Sequence, residues 1–222
     1  RSRPGPNRLP WRRGCRGLAL GAGPMTVFLV GGGAGVGKTT VARALAARLG
    51  AGWLQLDSIW LALLEAAEPG SARRDLFDVD GAARSGVGDT DELLRRHIAA
   101  AEALEAVLPS VLAFEASAHP HLVVDGAWVT PAGAQRLAAH LPVRAAYLCE
   151  TDPIALRRAM DARRADAHPR PWHDALSDLA WRYGRWLAQE AQRCAIPVVD
   201  ARPFATQGER VRAALGLSET LG

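Results

Sequence analysis

The stretch GGGAGVGKTT, residues 31–40, decides the reading of this chain. The sequence has 27 lysines and arginines, and Lys38 is the only lysine among them. Gly32, Gly33, Ala34, Gly35, Val36, Gly37, Lys38 and Thr39 fit the spacing G-x-x-x-x-G-K-[ST], and Thr40 continues it. Glycines let backbone amides turn inward onto phosphate oxygens. A helix beginning at Lys38 adds the positive end of its dipole. A compact ammonium follows β- and γ-phosphates as a point charge, whereas a planar guanidinium fits such a loop poorly. That need explains one lysine kept in an arginine-rich chain. The Thr39 hydroxyl is the expected Mg²⁺ ligand.

The flanks supply the context this motif requires. Residues 25–30, MTVFLV, form a continuous apolar run suited to a buried parallel strand. Residues 38–49 follow as a helix with Val41, Leu45 and Leu49 on one stripe, stopped at Gly50. Further strands are expected at 53–56, 122–124, 143–149 and 196–200, and the second and third lead into Asp57 and Asp125. Helices are expected at 58–67, 91–108, 131–140, 153–164 and 176–194. The third and fourth of these open on Thr130–Pro131 and Asp152–Pro153, a cap followed by proline at the first helical position. Pro109 is expected to kink or break the helix before it, whose pattern resumes to about 118. The turn-rich segments 68–90 and 165–174 read as loops. Thr206 and Glu209 have capping-box spacing and open a last helix. Alternating strands and helices predict an α/β fold: a five-stranded parallel sheet between two helical layers, with ligands at the carboxyl edge of the strands.

Composition narrows the function. At 49 % hydrophobic and 23 % charged, the chain is ordinary for one globular domain. Its net charge of +4 is misleading, because residues 1–24 carry six arginines and no acid. Setting those aside leaves 21 bases against 23 acids, a net of −2, which argues against a nucleic-acid binder. The first 24 residues are rich in Arg, Pro and Gly and are expected to be a disordered extension, with the folded domain spanning 25–222 and Met25 the expected translation start. A targeting signal is the rival reading, but the apolar run at 18–20 is short for one. No apolar run is long enough for a membrane span. Cys15, Cys149 and Cys194 are too scattered for a disulfide framework, so a cytoplasmic location is expected.

The guanine-reading N-K-x-D is excluded by the absence of a second lysine, no LSGGQ stretch occurs, and the chain is short for an AAA-type motor. A small phosphotransferase remains. Here the chain resembles the P-loop kinases of the adenylate, shikimate and gluconate kinase type. It is similar above all to bacterial proteins labelled 2-phosphoglycerate-kinase-like. The carrying stretches are GVGKTTVARALAARLG, WLQLDSIWLAL, HLVVDGAW and WLAQEAQRCAIPVVDARPFATQGERV, within residues 25–216. The resemblance implies ATP and Mg²⁺ as cofactors and a small hydroxylated acceptor, for which a sugar acid, a phosphoglycerate-like anion, a nucleoside and an antibiotic are all open; monomer and homodimer are both open.

It also implies roles. Asp57 would face the acceptor hydroxyl and take its proton late in transfer; as a helix N-cap it would serve structure alone. The second acid common after it in the resembled group is replaced by Ser58, which leaves the division of labour with Asp125 open. Asp125, ending the Walker-B-like run LVVD, is a candidate to hold Mg²⁺ through water or to contact substrate. A lid near 163–175 would bring Arg163 and Arg164, of the set Arg157, Arg158, Arg163 and Arg164, onto the transferring phosphoryl group. The loop of Arg202 and Phe204 would pack beside the adenine, with Phe204 a core residue in the alternative, and Arg73, Arg74, Arg95 and Arg96 lie where an acceptor pocket could form, or are plain surface charges. His119 and His121 lack a third ligand for zinc. Trp181 and Arg185 suit a substrate stack or a dimer seam. A nucleotide-binding regulatory or toxin-like ATPase without a small acceptor is the alternative.

Overall fold

The structure is a computed structural model and describes residues 25–85, 89–164 and 170–217, without the side chains of 84, 163, 164 and 170–172. The expected disordered stretch 1–24 therefore lies outside the described residues. Five parallel strands form one sheet in the order β2-β3-β1-β4-β5. They are β1 (Thr26–Gly32), β2 (Gly52–Gln55), β3 (His121–Asp125), β4 (Val143–Cys149) and β5 (Val198–Asp200). The run Val27–Val30 is at most 5 % exposed, because β1 is central and both sheet faces are covered by helices. The expected five-stranded parallel α/β architecture is what the chain adopts.

The helices are α1 (Lys38–Leu49), α2 (Leu56–Glu65), α3 (Ala72–Phe77), α4 (Val79–Arg84), α5 (Thr90–Glu105), α6 (Leu108–Glu115), α7 (Pro131–Ala138), α8 (Pro153–Arg164), α9 (Arg170–Arg193) and α10 (Gln207–Ala214). α1 runs over the predicted residues, with Gly50 in the left-handed region donating to carbonyls of the last turn. Thr130 caps α7 by accepting the Gly133 amide at 3.0 Å, as its sequence signal predicts.

Several boundaries differ from expectation. Residues 72–84 of the expected loop 68–90 are mostly helical, with turn-type residues as caps, and 86–88 lie outside the described residues. Ser71 accepts the Arg74 amide and Asp78 the Gly81 amide, which starts α3 and α4, and Phe77 and Val79 are buried. The helix break falls at residues 106–107, and Pro109 sits in the first turn of α6, where its missing N–H costs nothing. α9 begins at Arg170, not near 176, so the expected lid loop is helical from that point; 165–169 lie outside the described residues. Thr206 makes no side-chain cap bond, because a 3₁₀ turn over Phe204–Thr206 leads directly into α10. Among the described residues no single helix is long and apolar enough to cross a membrane.

Candidate active site

At the carboxyl edge of β1 the chain turns through Gly33–Gly37 into α1. Gly37, the N-cap, has φ 87°, a left-handed conformation that favours glycine. No side chain caps α1 and no acid lies in its first turn, whereas α3, α4 and α5 have both. The first amides of α1 are thereby left for an anion. Lys38 is buried, and its ammonium donates to the Gly33 carbonyl at 2.6 Å. The loop is packed tightly from outside. A Cβ on Gly33 would stand 2.7 Å from the Ala180 carbonyl oxygen and 3.1 Å from Gly184 Cα, both on α9. Leu156 and Met160 of α8 lie over Gly35. Gln207 Nε2 donates to the Val36 carbonyl at 2.8 Å and to Ala201 at 2.7 Å, tying the loop to the end of β5.

This tightness gives a prediction. Gly33→Ala forces α9 away from the loop, because the obstructing atoms are backbone. A loss of about 1–3 kcal/mol in stability is expected, the usual range for overpacking. A denaturant titration matching wild type would show that α9 yields freely.

β3 ends at Asp125, in register with Val30 of β1 and Gln55 of β2. Asp125 is fully buried. The Thr39 hydroxyl donates to its Oδ2 at 2.7 Å, and the Trp53 indole N–H donates to Oδ1 at 2.7 Å. Burial raises the Asp125 pKa, while the two hydrogen bonds and the nearby Lys38 charge oppose the rise. A hydroxyl and a carboxylate, side by side at a phosphate cradle, are the hard oxygen donors Mg²⁺ takes. These residues fit the ion.

Asp57 is not at a strand end. β2 stops at Gln55, and Asp57 lies exposed in the first turn of α2, where it is not the cap; Gln55 is. Its Oδ1 accepts the Trp128 indole N–H at 2.8 Å, and among the described residues no partner takes Oδ2. Trp128 comes from the loop between β3 and α7, which is held at successive residues. The Tyr183 hydroxyl donates to the Ala127 carbonyl at 2.6 Å, the Tyr147 hydroxyl to Val129 at 2.9 Å, and the Thr130 amide to Glu105 Oε1 at 2.6 Å. Trp128 stacks on Trp60 on one side (centroids 5.1 Å apart) and on His97 on the other (4.7 Å). His97 stacks on Tyr183 at 3.9 Å, and Tyr183 on Trp186. The column thus joins α2, which carries Asp57, to α9, which abuts the glycine loop. Both His97 ring nitrogens are out of solvent contact and without a hydrogen-bond partner. Burial first, and the Lys38 charge second, lower its pKa from 6.5 to about 3.

The structure brings Lys38, Thr39, Asp125 and the glycines together. Asp57 is near enough to Asp125 for its charge to act on that carboxyl. Arg202, beside a cis Arg202–Pro203 bond, follows β5, but its guanidinium is engaged: Nε donates to the buried Glu150 at 2.6 Å and Nη2 to the Ala155 carbonyl at 3.0 Å, with the Phe204 ring 4.6 Å away. Arg163 and Arg164 are in the last turn of α8, with side chains outside the described residues. Arg157 is paired with Asp174 across α8 and α9, and His173 lies 3.6 Å from Asp161. Arg74, Arg95 and Arg96, expected near the acceptor, are paired with Glu65, Glu92 and Glu92. Among the described residues no group of three His, Cys, Asp or Glu side chains is placed to hold a metal.

Fold and cradle define a P-loop nucleotide-binding α/β protein. The chain belongs to the family described as AAA domain, whose model matches residues 27–175. Comparison with curated proteins found no match. Among solved structures, the chain is similar to TT1252 from Thermus thermophilus (19 % identity, 90 % of this chain and 99 % of that one, TM-score 0.51). A shikimate kinase from Bacteroides thetaiotaomicron is also similar (17 %, 87 % and 99 %, 0.48), as is a gluconokinase from Sinorhizobium meliloti (20 %, 87 % and 92 %, 0.46). At these identities the likeness is one of fold.

Proposed function

We propose that this protein is an ATP-dependent phosphotransferase that moves the γ-phosphoryl group to a hydroxyl of a small molecule. One observation carries the reading: two carboxylates, close enough for one to act on the other's charge, are held differently. Asp125 is buried with both oxygens bonded, one of them to Thr39. Asp57 is exposed, with one oxygen fixed by Trp128. The first suits a metal-side acid and the second an acid that meets an incoming hydroxyl.

Lys38 and the α1 amides would bind and neutralise the phosphates, with Thr39 and Asp125 holding Mg²⁺, which supplies charge neutralisation at the β- and γ-oxygens. Asp57 Oδ2 would orient the acceptor hydroxyl and accept its proton as transfer completes. The α8–α9 pair, packed on Gly35 and Gly33, would serve as the lid, with Arg163 and Arg164 at its tip and water excluded on closure.

The test is ATP consumption with and without a panel of hydroxylated metabolites. A slow basal rate, raised many-fold by one compound, is expected. Equal rates across the panel would overturn transfer and favour a regulatory ATPase. Once the acceptor is in hand, Asp57→Asn should lower kcat about 100-fold or more while the KM for ATP stays within about twofold. Unchanged kcat would remove the acceptor role.

A further inference from the structure

Trp53 stands on β2, an edge strand of the sheet, and is 39 % exposed. A large ring left this open on an edge contributes little to the core. Yet the indole is fixed at two points. Its N–H donates to Asp125 Oδ1 at 2.7 Å, and the Arg43 guanidinium of α1 lies over its face, 5.4 Å from the ring centroid. The ring therefore bridges α1, which carries Thr39, and β3, which ends at Asp125. Thr39 takes the other carboxylate oxygen at 2.7 Å. With one oxygen committed to the indole, the carboxylate plane cannot rotate, and Oδ2 is kept on the Thr39 side.

An indole N–H is a donor only. It cannot ligate a cation, and no water-like exchange of donor for acceptor is open to it. Its one capacity at this site is to orient the acid. Side chains that orient metal-binding carboxylates in this way typically affect metal affinity 10–100-fold.

We propose that Trp53 is a positioning residue for divalent-cation binding, fixing Asp125 so that its second oxygen and the Thr39 hydroxyl face one ion. The inference rests on the nucleotide-binding reading above. The Arg43 contact holds the ring in place from the solvent side.

The test uses Trp53→Phe, which keeps a ring beneath Arg43 and removes the N–H. Binding of a non-hydrolysable ATP analogue is followed by calorimetry, once in EDTA and once across a Mg²⁺ titration. The expected result is a rise of about tenfold in the Mg²⁺ concentration giving half-maximal enhancement, with affinity in EDTA unchanged within about twofold. Matching Mg²⁺ midpoints for variant and wild type would overturn the proposal and leave the nucleotide reading intact. Equal loss with and without Mg²⁺ would also overturn it, since that is general loosening of the site. Wild-type protein that binds the analogue under neither condition would overturn the nucleotide reading itself. Should Trp53→Phe fold poorly by circular dichroism, Arg43→Gln, which frees the ring from above, is expected to shift the Mg²⁺ midpoint in the same direction by a smaller factor; no shift would count against the proposal.

Discussion

Lys38→Ala is expected to lower nucleotide-dependent turnover about a thousand-fold while leaving the fold intact. The ammonium is buried at the loop and is the only lysine nitrogen in the chain. Removing a single preorganised charge or donor from a water-poor transfer site typically costs 10²–10³ in kcat, and a full positive charge lies at the upper end. The fold survives because the β1–α1 turn is held by glycine geometry, by α9 against Gly33 and by Gln207 on Val36, none of which uses the ammonium. Lys38→Arg should fail nearly as badly. A planar guanidinium must spread a fork of donors where a single buried ammonium meets the Gly33 carbonyl at 2.6 Å. Circular dichroism, a thermal melt and single-turnover rates decide it. An arginine variant retaining half of wild-type activity would remove this explanation of why one lysine persists in an arginine-rich chain.

The parts of this site that rest on local chemistry were readable from the sequence. A strand, a glycine-rich turn, Lys38-Thr39 and an amphipathic helix are contiguous, so one stretch fixes the cradle. Thr130-Pro131 opens α7 for the same local reason. Asp125 was legible because an apolar run in a parallel sheet must end at the ligand edge. Elsewhere, local composition misleads. Ser71 and Asp78 carry a turn signature whether they end a loop or start a helix, and only the burial of Phe77 and Val79 decides between the two. Arg202 looks available until Glu150, 52 positions away in sequence, claims it.

The aromatic partners were out of reach in a deeper sense. Trp53 meets Asp125 across 72 positions through the pairing of β2 with β3, and Trp128 meets Asp57 across 71 through a loop packed on α2, neither of which a local period encodes. A faint signal existed. Two of the stretches that carry the kinase resemblance, WLQLDSIWLAL and HLVVDGAW, hold Trp53, Trp60 and Trp128 beside the two acids. Each candidate acid is thus held by an indole N–H, a donor that titrates at no accessible pH and leaves the carboxylate free to act as an acid–base or ligand group. Trp128 has further consequences, since its ring is fixed between Trp60 and His97. Trp128→Phe keeps the stack but frees Asp57, so it should reproduce most of the Asp57→Asn loss in kcat while costing little stability.

His97 should make the protein acid-labile, and His97→Phe should relieve it. The imidazole is buried and neutral, with a pKa of about 3 against 6.5 when free. Unfolding releases it to water, where below pH 6.5 it takes up a proton that the folded state refuses. Stability from this group is therefore whole above pH 6.5 and falls as pH drops toward 3. The interval corresponds to at most about 5 kcal/mol at 1.36 kcal/mol per pH unit, a large part of a typical domain's stability. Asp125 works in the opposite sense: its raised pKa means the folded state gains as pH falls through it, so the wild-type curve alone mixes the two. The difference between wild type and His97→Phe isolates the histidine. Phenylalanine preserves stacking on Trp128 and Tyr183 and removes two buried nitrogens without partners, each of which costs stability when unsatisfied. Urea titrations from pH 7.5 to 4 should show wild type losing stability faster than the variant, by several kcal/mol at the acid end. His97→Leu, smaller and free of overpacking, should flatten the same slope even where it lowers the stability at pH 7.5. Parallel slopes in all three proteins would mean the ring is protonated or solvated in the folded state.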